Sequence, residues 1–309
     1  MSDDVNQAQL TELLTKFTAY FGKHLPDDVV ERLKELKAEQ TSDMAKLIYY
    51  SMFQDMEMAN RDDVPICQDT GILQYFVQVG EHFPHMGLIK EALHDAAIQA
   101  TQRAPLRPNA VQIFDEKNTG NNTGDNIPWV DWEIIKGRDD CVVYGYMAGG
   151  GCSLPGTAKV LMPVEGYEGI VKFIFDTITD RGINACPPLL VGVGIAGSVE
   201  VAAKLSKKAL MRPIKSHNSN ERGAKFEQLI EDGLNKLNIG PGGLTGVKSV
   251  MVVNVEHAAR HPACLAVGIS TGCWAHRRAC IRINANLSYE MLTHKGVDGF
   301  GAQHLWCNI

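Results

Sequence analysis

The sequence predicts a mixed α/β protein with a helical N-terminal lobe. In the first hundred residues, apolar side chains recur every three or four positions, which is the pattern of amphipathic helices. The clearest stripes are Leu10, Leu13, Leu14, Phe17 and Phe21, then Met44, Leu47, Ile48 and Met52, then Ile89, Leu93, Ala96 and Ala100. From about Val142, short runs rich in valine, isoleucine and glycine alternate with helical stretches, so this region should combine strands and helices.

The individual elements of this second region follow from composition and spacing. Short apolar runs predict strands at VVYGYM, LLVGVGIAG, SVMVVNV and CLAVGIS. Helical periodicity predicts helices over 167–180, 198–210 and 221–237, and Ser198 is suited to the N-cap of the second. The loops that would carry the functional residues lie between these elements.

Turn-forming residues mark two loops but no interdomain linker. NTGNNTGDN, at 118–126, and IGPGGLTG, at 239–246, are rich in glycine and asparagine. Neither has the length or composition of a flexible linker between domains. We therefore expect residues 1–309 to form a single domain, with an alternative boundary near Asp140.

Charge and hydropathy exclude several classes of protein. The net charge is −6 and the isoelectric point is near 5.9, so no overall basic field would attract nucleic acid or an anionic membrane. The N-terminus is polar, and no run of eighteen apolar residues occurs. We expect a cytoplasmic protein whose eight cysteines are mostly reduced thiols.

Three cysteines stand in sequence contexts that suit a metal cluster: Cys67 in PICQDTG, Cys186 in NACPP and Cys273 in STGCWAHRR. Nearby glycine and proline let the backbone approach a cluster closely. Three thiolates would leave one iron open to substrate, as a catalytic cluster requires. Cys152 in AGGGC is a competing candidate, and spacing alone leaves open that the trio arose by chance.

A glycine motif offers a different interpretation. Gly192, Gly194 and Gly197 follow an apolar run and precede a helix, as in dinucleotide-binding folds. A second strand ending in an acidic residue should follow, but the polar loop RPIKSHNSNERG stands there. We therefore interpret these glycines as sites of tight packing or strand ends.

The motifs CQDTG, NACPP and STGCWAHRR, in this order, resemble the three cluster-ligand motifs of class I fumarases and two-subunit tartrate dehydratases. The resemblance continues through PDDVVERLKELK, APLRPNAVQIFD, LMPVEGYEGIVKF, LLVGVGIAGSVE and RHPA, and reaches about Thr293. AGGGC with its following proline looks more like the tartrate dehydratase α subunits than the fumarases.

The resemblance implies a [4Fe-4S] cluster held by Cys67, Cys186 and Cys273, with a vacant position on the fourth iron. Gln68 and Asp69 match residues that contact substrate beside that iron. Asp69 is the better candidate for a catalytic role, because a carboxylate can hydrogen-bond to a departing hydroxyl.

Other matched positions would bind the substrate's carboxylates. Arg107 matches an arginine suited to bidentate carboxylate binding. Gly150 would offer backbone amides, and His261 matches a substrate-contacting histidine that we count among the catalytic residues. Independently, a dicarboxylate approaching an acidic protein needs a local cationic group. The densest such groups are Arg260 with His261, and His276 with Arg277 and Arg278.

The resemblance implies a hydro-lyase that converts L-tartrate to oxaloacetate and water. The base and further basic ligands would come from a separate β subunit, in an assembly of two copies of each chain. The alternatives are the α subunit of a two-subunit fumarase and a non-catalytic iron-sulfur scaffold or sensor. Residues 295–309 depart from the family pattern, and we assign them no role.

Overall fold

The computed structural model of the chain describes residues 2–297 and residue 300. No helix in this described part is long and apolar enough to cross a membrane. The helices are α1 (Ser2–Lys23), α2 (Asp27–Glu39), α3 (Asp43–Asp62), α4 (Ile89–Arg103), α5 (Gly150–Ser153), α6 (Gly166–Arg181), α7 (Val199–Ala209) and α8 (Glu221–Asn235). Most of the segment 295–309 lies outside the described residues.

The strands confirm the expected mixture of α and β structure. They are β1 (Ile72–Gly80), β2 (Trp129–Ile135), β3 (Cys141–Ala148), β4 (Thr157–Leu161), β5 (Leu189–Ala196), β6 (Val250–His257), β7 (Leu265–Gly272), β8 (Arg278–Ile283) and β9 (Tyr289–Met291). Four of them, β3, β5, β6 and β7, coincide with the predicted apolar runs.

The chain divides into two compact units, and neither is continuous in sequence. Unit 1 comprises the described residues of Met1–Asp27, Gln54–Gly149 and Arg277–Ile309. Unit 2 comprises Asp28–Phe53 and Gly150–His276. The chain passes from unit 1 to unit 2 after Gly149, which is near the alternative boundary expected at Asp140. At the other points where the chain passes from one unit to the other, one of them inside α3, the amino-acid composition does not change in a way that would reveal a boundary.

Unit 1 is built on a five-stranded sheet in the order β2-β1-β3-β8-β9. The pair β1–β2 is parallel, and the other neighbours are antiparallel. The predicted stripe of α1, from Leu10 to Phe21, is buried in the core of this unit, together with the apolar face of α4. A buried hydrogen bond of 2.8 Å joins the hydroxyls of Thr18 and Tyr75 and so ties α1 to β1.

Two features of the N-terminal region differ from the expectation of a helical lobe. Residues 72–80 form a strand whose side chains alternate between buried and partly exposed, as a half-buried strand requires. On α3, Met44 and Leu47 belong to the predicted apolar stripe but are more than half exposed, whereas Met52 is buried. The helical period placed α3 correctly but did not identify which of its residues are buried.

Unit 2 is built on a four-stranded sheet in the order β4-β7-β5-β6. The pair β5–β6 is parallel, and β7 is antiparallel to β5 and to β4. The three helices predicted in this region are confirmed as α6, α7 and α8. Ser198 precedes α7 as predicted, but its hydroxyl hydrogen-bonds to Glu200 at 2.7 Å and does not cap the helix backbone.

The glycine motif in β5 serves the packing of α7. A methyl group on Gly192 would overlap the carbonyl oxygen of Ser206, and one on Gly194 would overlap that of Ala202. Both carbonyls belong to α7, so the helix lies too close to β5 for any side chain at these positions. Tight packing explains the motif without a bound dinucleotide.

Gly194→Ala should therefore lower the free energy of unfolding by about 2 kcal/mol or more, because the added methyl must push α7 away from the sheet. Urea unfolding followed by circular dichroism would measure this loss. The matched control is Gly87→Ala, since nothing lies within 4 Å of the methyl it would add. The control should change stability by less than about 0.5 kcal/mol. Equal stability of the two variants would contradict the packing argument.

Candidate active site

In unit 1, Asp69 is held in a tight turn after Cys67. The Oδ1 atom of its carboxylate accepts a hydrogen bond from the Gly71 amide at 3.0 Å and one from the Asn109 side chain at 3.3 Å. Gly71 has a φ of +84°, and a methyl group there would meet the Ala148 backbone at 2.7 Å. Glycine is required at this position, and the turn fixes the orientation of the Asp69 carboxylate.

Arg107 lies on a second loop that is hydrogen-bonded to the first. Its carbonyl oxygen accepts hydrogen bonds from Thr70 Oγ1 at 3.2 Å and from Asn122 Nδ2 at 3.1 Å. The buried Asn122 side chain also accepts a hydrogen bond from the backbone amide of Asn109 at 2.7 Å. The guanidinium of Arg107 is exposed and makes no hydrogen bond or ion pair within the described part of the chain. It is available to an anionic ligand near Asp69.

A buried arginine also supports the Asp69 turn. Arg277 is only 2 % exposed, and its Nη2 donates to the Asp69 carbonyl oxygen at 2.7 Å. Its Nε and Nη1 atoms are buried without a hydrogen-bond partner among the residues described. A buried cation is costly without an anion to balance it. This arginine therefore gives the Cys67 loop a positive charge and hydrogen-bond donors that could serve an anionic group.

In unit 2, the Cys186 and Cys273 loops lie side by side. β5 begins just after Cys186 and β7 ends just before Cys273, and the two strands are antiparallel, with Leu190 opposite Gly272. The Trp274 amide donates to the Cys186 carbonyl at 3.2 Å. Cys186 has the left-handed conformation, with φ of 52°, at the end of a short 3-10 turn, and its side chain is exposed. Two predicted ligands thus share one edge of this sheet.

The AGGGC segment is packed at the same edge of the unit 2 sheet. It forms the short helix α5, whose Cys152 carbonyl accepts a hydrogen bond from Thr271 Oγ1 at 2.6 Å. A methyl group on Gly151 would meet the Asn184 carbonyl at 2.8 Å, so only glycine permits this approach. Gly150 and the buried Cys152 therefore lie in the neighbourhood of Cys186 and Cys273. Position alone does not remove Cys152 as a competing ligand.

His261 lies at the opposite edge of that sheet. It stands in the loop between β6 and β7, and the backbone of this loop packs against Gly197, just beyond the end of β5. The eight-residue strand β7 separates the loop from Cys273, a span of about 26 Å in an extended chain. His261 therefore cannot contact the same small substrate as Cys186 and Cys273 of its own unit.

The ring of His261 has a defined orientation even though it is exposed. Its Nδ1 atom accepts a hydrogen bond from the Ala263 amide at 3.1 Å. This bond leaves Nε2 as the nitrogen directed away from its own loop. Arg260, beside it, donates through Nη1 to the carbonyls of His261 and Pro262.

The remaining described cysteines differ in their environment. Cys141 lies in β3 and Cys280 in β8, and burial raises the pKa of each thiol to about 12. Such thiols stay protonated at neutral pH and are poor metal ligands. Cys264 is partly exposed at the start of β7, and none of the seven described cysteines forms a disulfide. The eighth, Cys307, lies outside the described residues.

Sequence patterns did not point to several residues that shape these loops. Asn109 holds the Asp69 carboxylate and Asn122 holds the Arg107 carbonyl, yet isolated asparagines resemble ordinary loop residues in a sequence. Lys207 on α7 was also missed; burial lowers its pKa, and the nearby Cys152 acts in the opposite direction. Only the folded environment distinguishes it from Lys204 and Lys208.

The residues present fit an iron-sulfur cluster in their donor chemistry. Cys67 in unit 1 and Cys186 and Cys273 in unit 2 are not in disulfides, and all three are at least partly exposed. The buried guanidinium of Arg277 suits a negatively charged group near the Cys67 loop. No three His, Cys, Asp or Glu side chains within the described ranges are close enough together to form a metal site.

Comparison with known proteins gives a consistent picture. Residues 11–282 match the family model described as fumarate hydratase (Fumerase). L(+)-tartrate dehydratase subunit alpha from Escherichia coli K12 is 55% identical over 286 residues, which cover 93% of this chain and 94% of that protein. The proteins of the same name from Escherichia coli UTI89 and Shigella boydii serotype 4 show the same identity and coverage.

Proposed function

Because this chain belongs to the fumarate hydratase family, we propose that it is the alpha subunit of an L-tartrate dehydratase. This enzyme is a hydro-lyase that removes water from L-tartrate to form oxaloacetate. The observation that carries the proposal is the 55% identity to tartrate dehydratase alpha subunits across nearly the whole of both chains. A fumarase subunit is the second candidate, because the matching family model is described as fumarate hydratase.

We propose that Cys67, Cys186 and Cys273 supply the thiolates of a [4Fe-4S] cluster. When bound, the cluster would provide an iron with an open position, a Lewis acid that makes the substrate hydroxyl a better leaving group. The donor set and the buried Arg277 support this assignment. A reducing cytoplasm, the location we propose, would keep these thiols available.

The chain's own residues would bind the substrate and hydrogen-bond to its departing hydroxyl. The guanidinium of Arg107, which has no partner among the described residues, would hold one carboxylate through two parallel hydrogen bonds. The Gly150 amide would bind another carboxylate oxygen, and Gln68, exposed beside Cys67, would bind substrate. Asp69, oriented by Gly71 and Asn109, would hydrogen-bond to the departing hydroxyl.

The other half of the reaction needs a base to remove the proton from the neighbouring carbon. Loss of water then gives an enol, which tautomerises to oxaloacetate. The matched relatives are named as alpha subunits, so a beta subunit exists beside each of them. We propose that such a subunit supplies the base here, in an assembly of two copies of each chain.

This assembly also accounts for His261. We propose that His261 contacts substrate at the cluster of the second alpha chain, not at that of its own chain. The separation of about 26 Å along β7 supports this arrangement, because a side chain cannot bridge it. In a twofold symmetric pair, each chain would donate its His261 to the other.

The proposed ligand set can be tested by substitution. Cys67→Ser, Cys186→Ser and Cys273→Ser should each abolish assembly of the cluster, because each removes one of only three thiolates. Iron and sulfide content, with electron paramagnetic resonance after anaerobic reconstitution, would measure this. Cys152→Ser is the control and should retain its iron. A Cys186→Ser protein with full iron would overturn the ligand set.

Substrate preference tests the function itself. The chain co-purified with its partner under nitrogen should form oxaloacetate from L-tartrate faster than malate from fumarate. Brief exposure to air should inactivate it, because an open iron is unprotected. Faster hydration of fumarate would identify a fumarase subunit. An iron-containing complex with neither activity would favour a scaffold or sensor.

Mixing two inactive alpha chains tests the role of His261. Chains carrying Cys67→Ser and chains carrying His261→Ala should recover about a quarter of the wild-type rate when co-expressed with the partner, because half of the pairs contain one intact site. Each variant alone should stay nearly inactive. If His261 acted within its own chain, the mixture would recover nothing. Full activity of His261→Ala alone would remove this residue from the site.

A further inference from the structure

A cavity of about 410 Å³ opens in unit 2 at the carboxyl ends of β5 and β6. Ile195 near the end of β5 and His257 at the end of β6 line it. These two strands are parallel and adjacent, and ligands of α/β sheets commonly bind beyond the carboxyl ends of such strands. The volume falls within the range of roughly 300–1,000 Å³ that is usual for small-molecule sites.

The charged residues of the cavity wall are two arginines. Arg222 and Arg260 line it, and no aspartate or glutamate does. The carboxylates closest to them in sequence are already paired: Glu221 with Lys225 at 2.7 Å, and Glu256 with Arg212 at 3.3 Å. In a chain with a net charge of −6, this concentration of positive charge is local and would attract an anion.

The two arginines are available to a ligand in different ways. Arg222 is exposed, and its guanidinium has no hydrogen bond or ion pair to any residue that the structure describes. Arg260 donates through Nη1 to backbone carbonyls of its own loop at 3.1 and 3.0 Å. Neutral carbonyls orient this guanidinium but do not neutralise its charge. An anion between the two would form charge-assisted hydrogen bonds.

Two helix N-termini reinforce the positive field. Gly166 and Tyr167, the first residues of α6, and Gly223, in the first turn of α8, line the cavity. The positive ends of both helix dipoles therefore lie at its wall. The Asn220 side chain already accepts hydrogen bonds from the Arg222 and Gly223 amides at the start of α8. Direct contacts between this end of α8 and a bound anion must therefore come from the arginines.

The rest of the wall is apolar and suits a flat ring. Ile170, Ile195, Val255 and Leu265 are in the lining. Tyr167 and Phe226 stand beside them with ring centroids 5.3 Å apart in an edge-to-face arrangement. Inorganic phosphate alone would leave this surface exposed to water, whereas an anion that carries a ring would cover it.

We propose that this cavity binds a small organic anion that carries a ring, with its acidic group between Arg222 and Arg260 and its ring against Tyr167 and Phe226. The acidic group is a carboxylate or a phosphate monoester. The cavity lies at the sheet edge opposite Cys186 and Cys273 of the same chain, beside the loop whose His261 we place at the cluster of the second chain.

Isothermal titration calorimetry of the chain co-purified with its partner would test this proposal. Phenyl phosphate and benzoate are the ring-bearing probes, one for each acidic group. Inorganic phosphate, which has no ring, is the comparison that measures the contribution of the ring. At least one ring-bearing probe should bind more tightly than inorganic phosphate. Arg222→Gln and Arg260→Gln should each weaken its binding at least about 10-fold. Tyr167→Ala should weaken binding of the ring-bearing probe but not of phosphate. Binding should also weaken as salt is added.

Lys172→Gln is the matched control, because this exposed α6 lysine pairs with Asp176 and does not line the cavity. It should leave affinity within about twofold of wild type. Circular dichroism of each variant would show that the fold is retained. Failure of both ring-bearing probes to bind, or equal affinity in wild type and Arg222→Gln, would overturn the proposal. Iron content and dehydration of L-tartrate are measured separately, so failure of this proposal can be distinguished from failure of the dehydratase assignment.

Discussion

The antiparallel pairing of β5 with β7 is the constraint on which the proposed chemistry of unit 2 depends. It sets Leu190 opposite Gly272, so the loops that carry Cys186 and Cys273 must leave the sheet at one edge. The same register sends the 258–264 loop, with His261, to the other edge. The close approach of α7, permitted by glycines at 192 and 194, covers one face of the paired strands, where Ala202 packs with Ala196 and Ala266.

Unit 1 positions its functional groups by hydrogen bonds between loops more than by a sheet register. The Asp69 carboxylate, the Arg107 backbone and the two asparagines form one connected set of contacts. Such a network keeps the Asp69 carboxylate and the Arg107 backbone in a defined relation while leaving the guanidinium exposed. The buried guanidinium of Arg277 contacts the Asp69 turn and has two nitrogens with no hydrogen-bond partner among the described residues, so this turn is suited to bind an anion.

Periodicity and local composition located much of the fold, and their failures have physical causes. The helices α1, α6, α7 and α8 were predicted because each has a stripe of apolar residues that is sufficient to specify one buried face. The strand β1 was missed because its alternation, in ILQYFVQVG, lay within a region dominated by helical patterns. The exposure of Met44 and Leu47 was not predictable, because an apolar stripe does not reveal what covers it.

The sequence by itself determined the chemistry available to this protein: cysteines in glycine- and proline-rich loops, a carboxylate next to the first of them, and an arginine suited to a carboxylate ligand. Only the tertiary structure decided which of these groups could act together. Cys273 and His261 are twelve residues apart in the chain, yet an extended strand of eight residues carries them to opposite edges of a sheet. Cys186 and Cys273 are far apart in the chain but adjacent in space, since hydrogen bonding between strands does not depend on sequence separation.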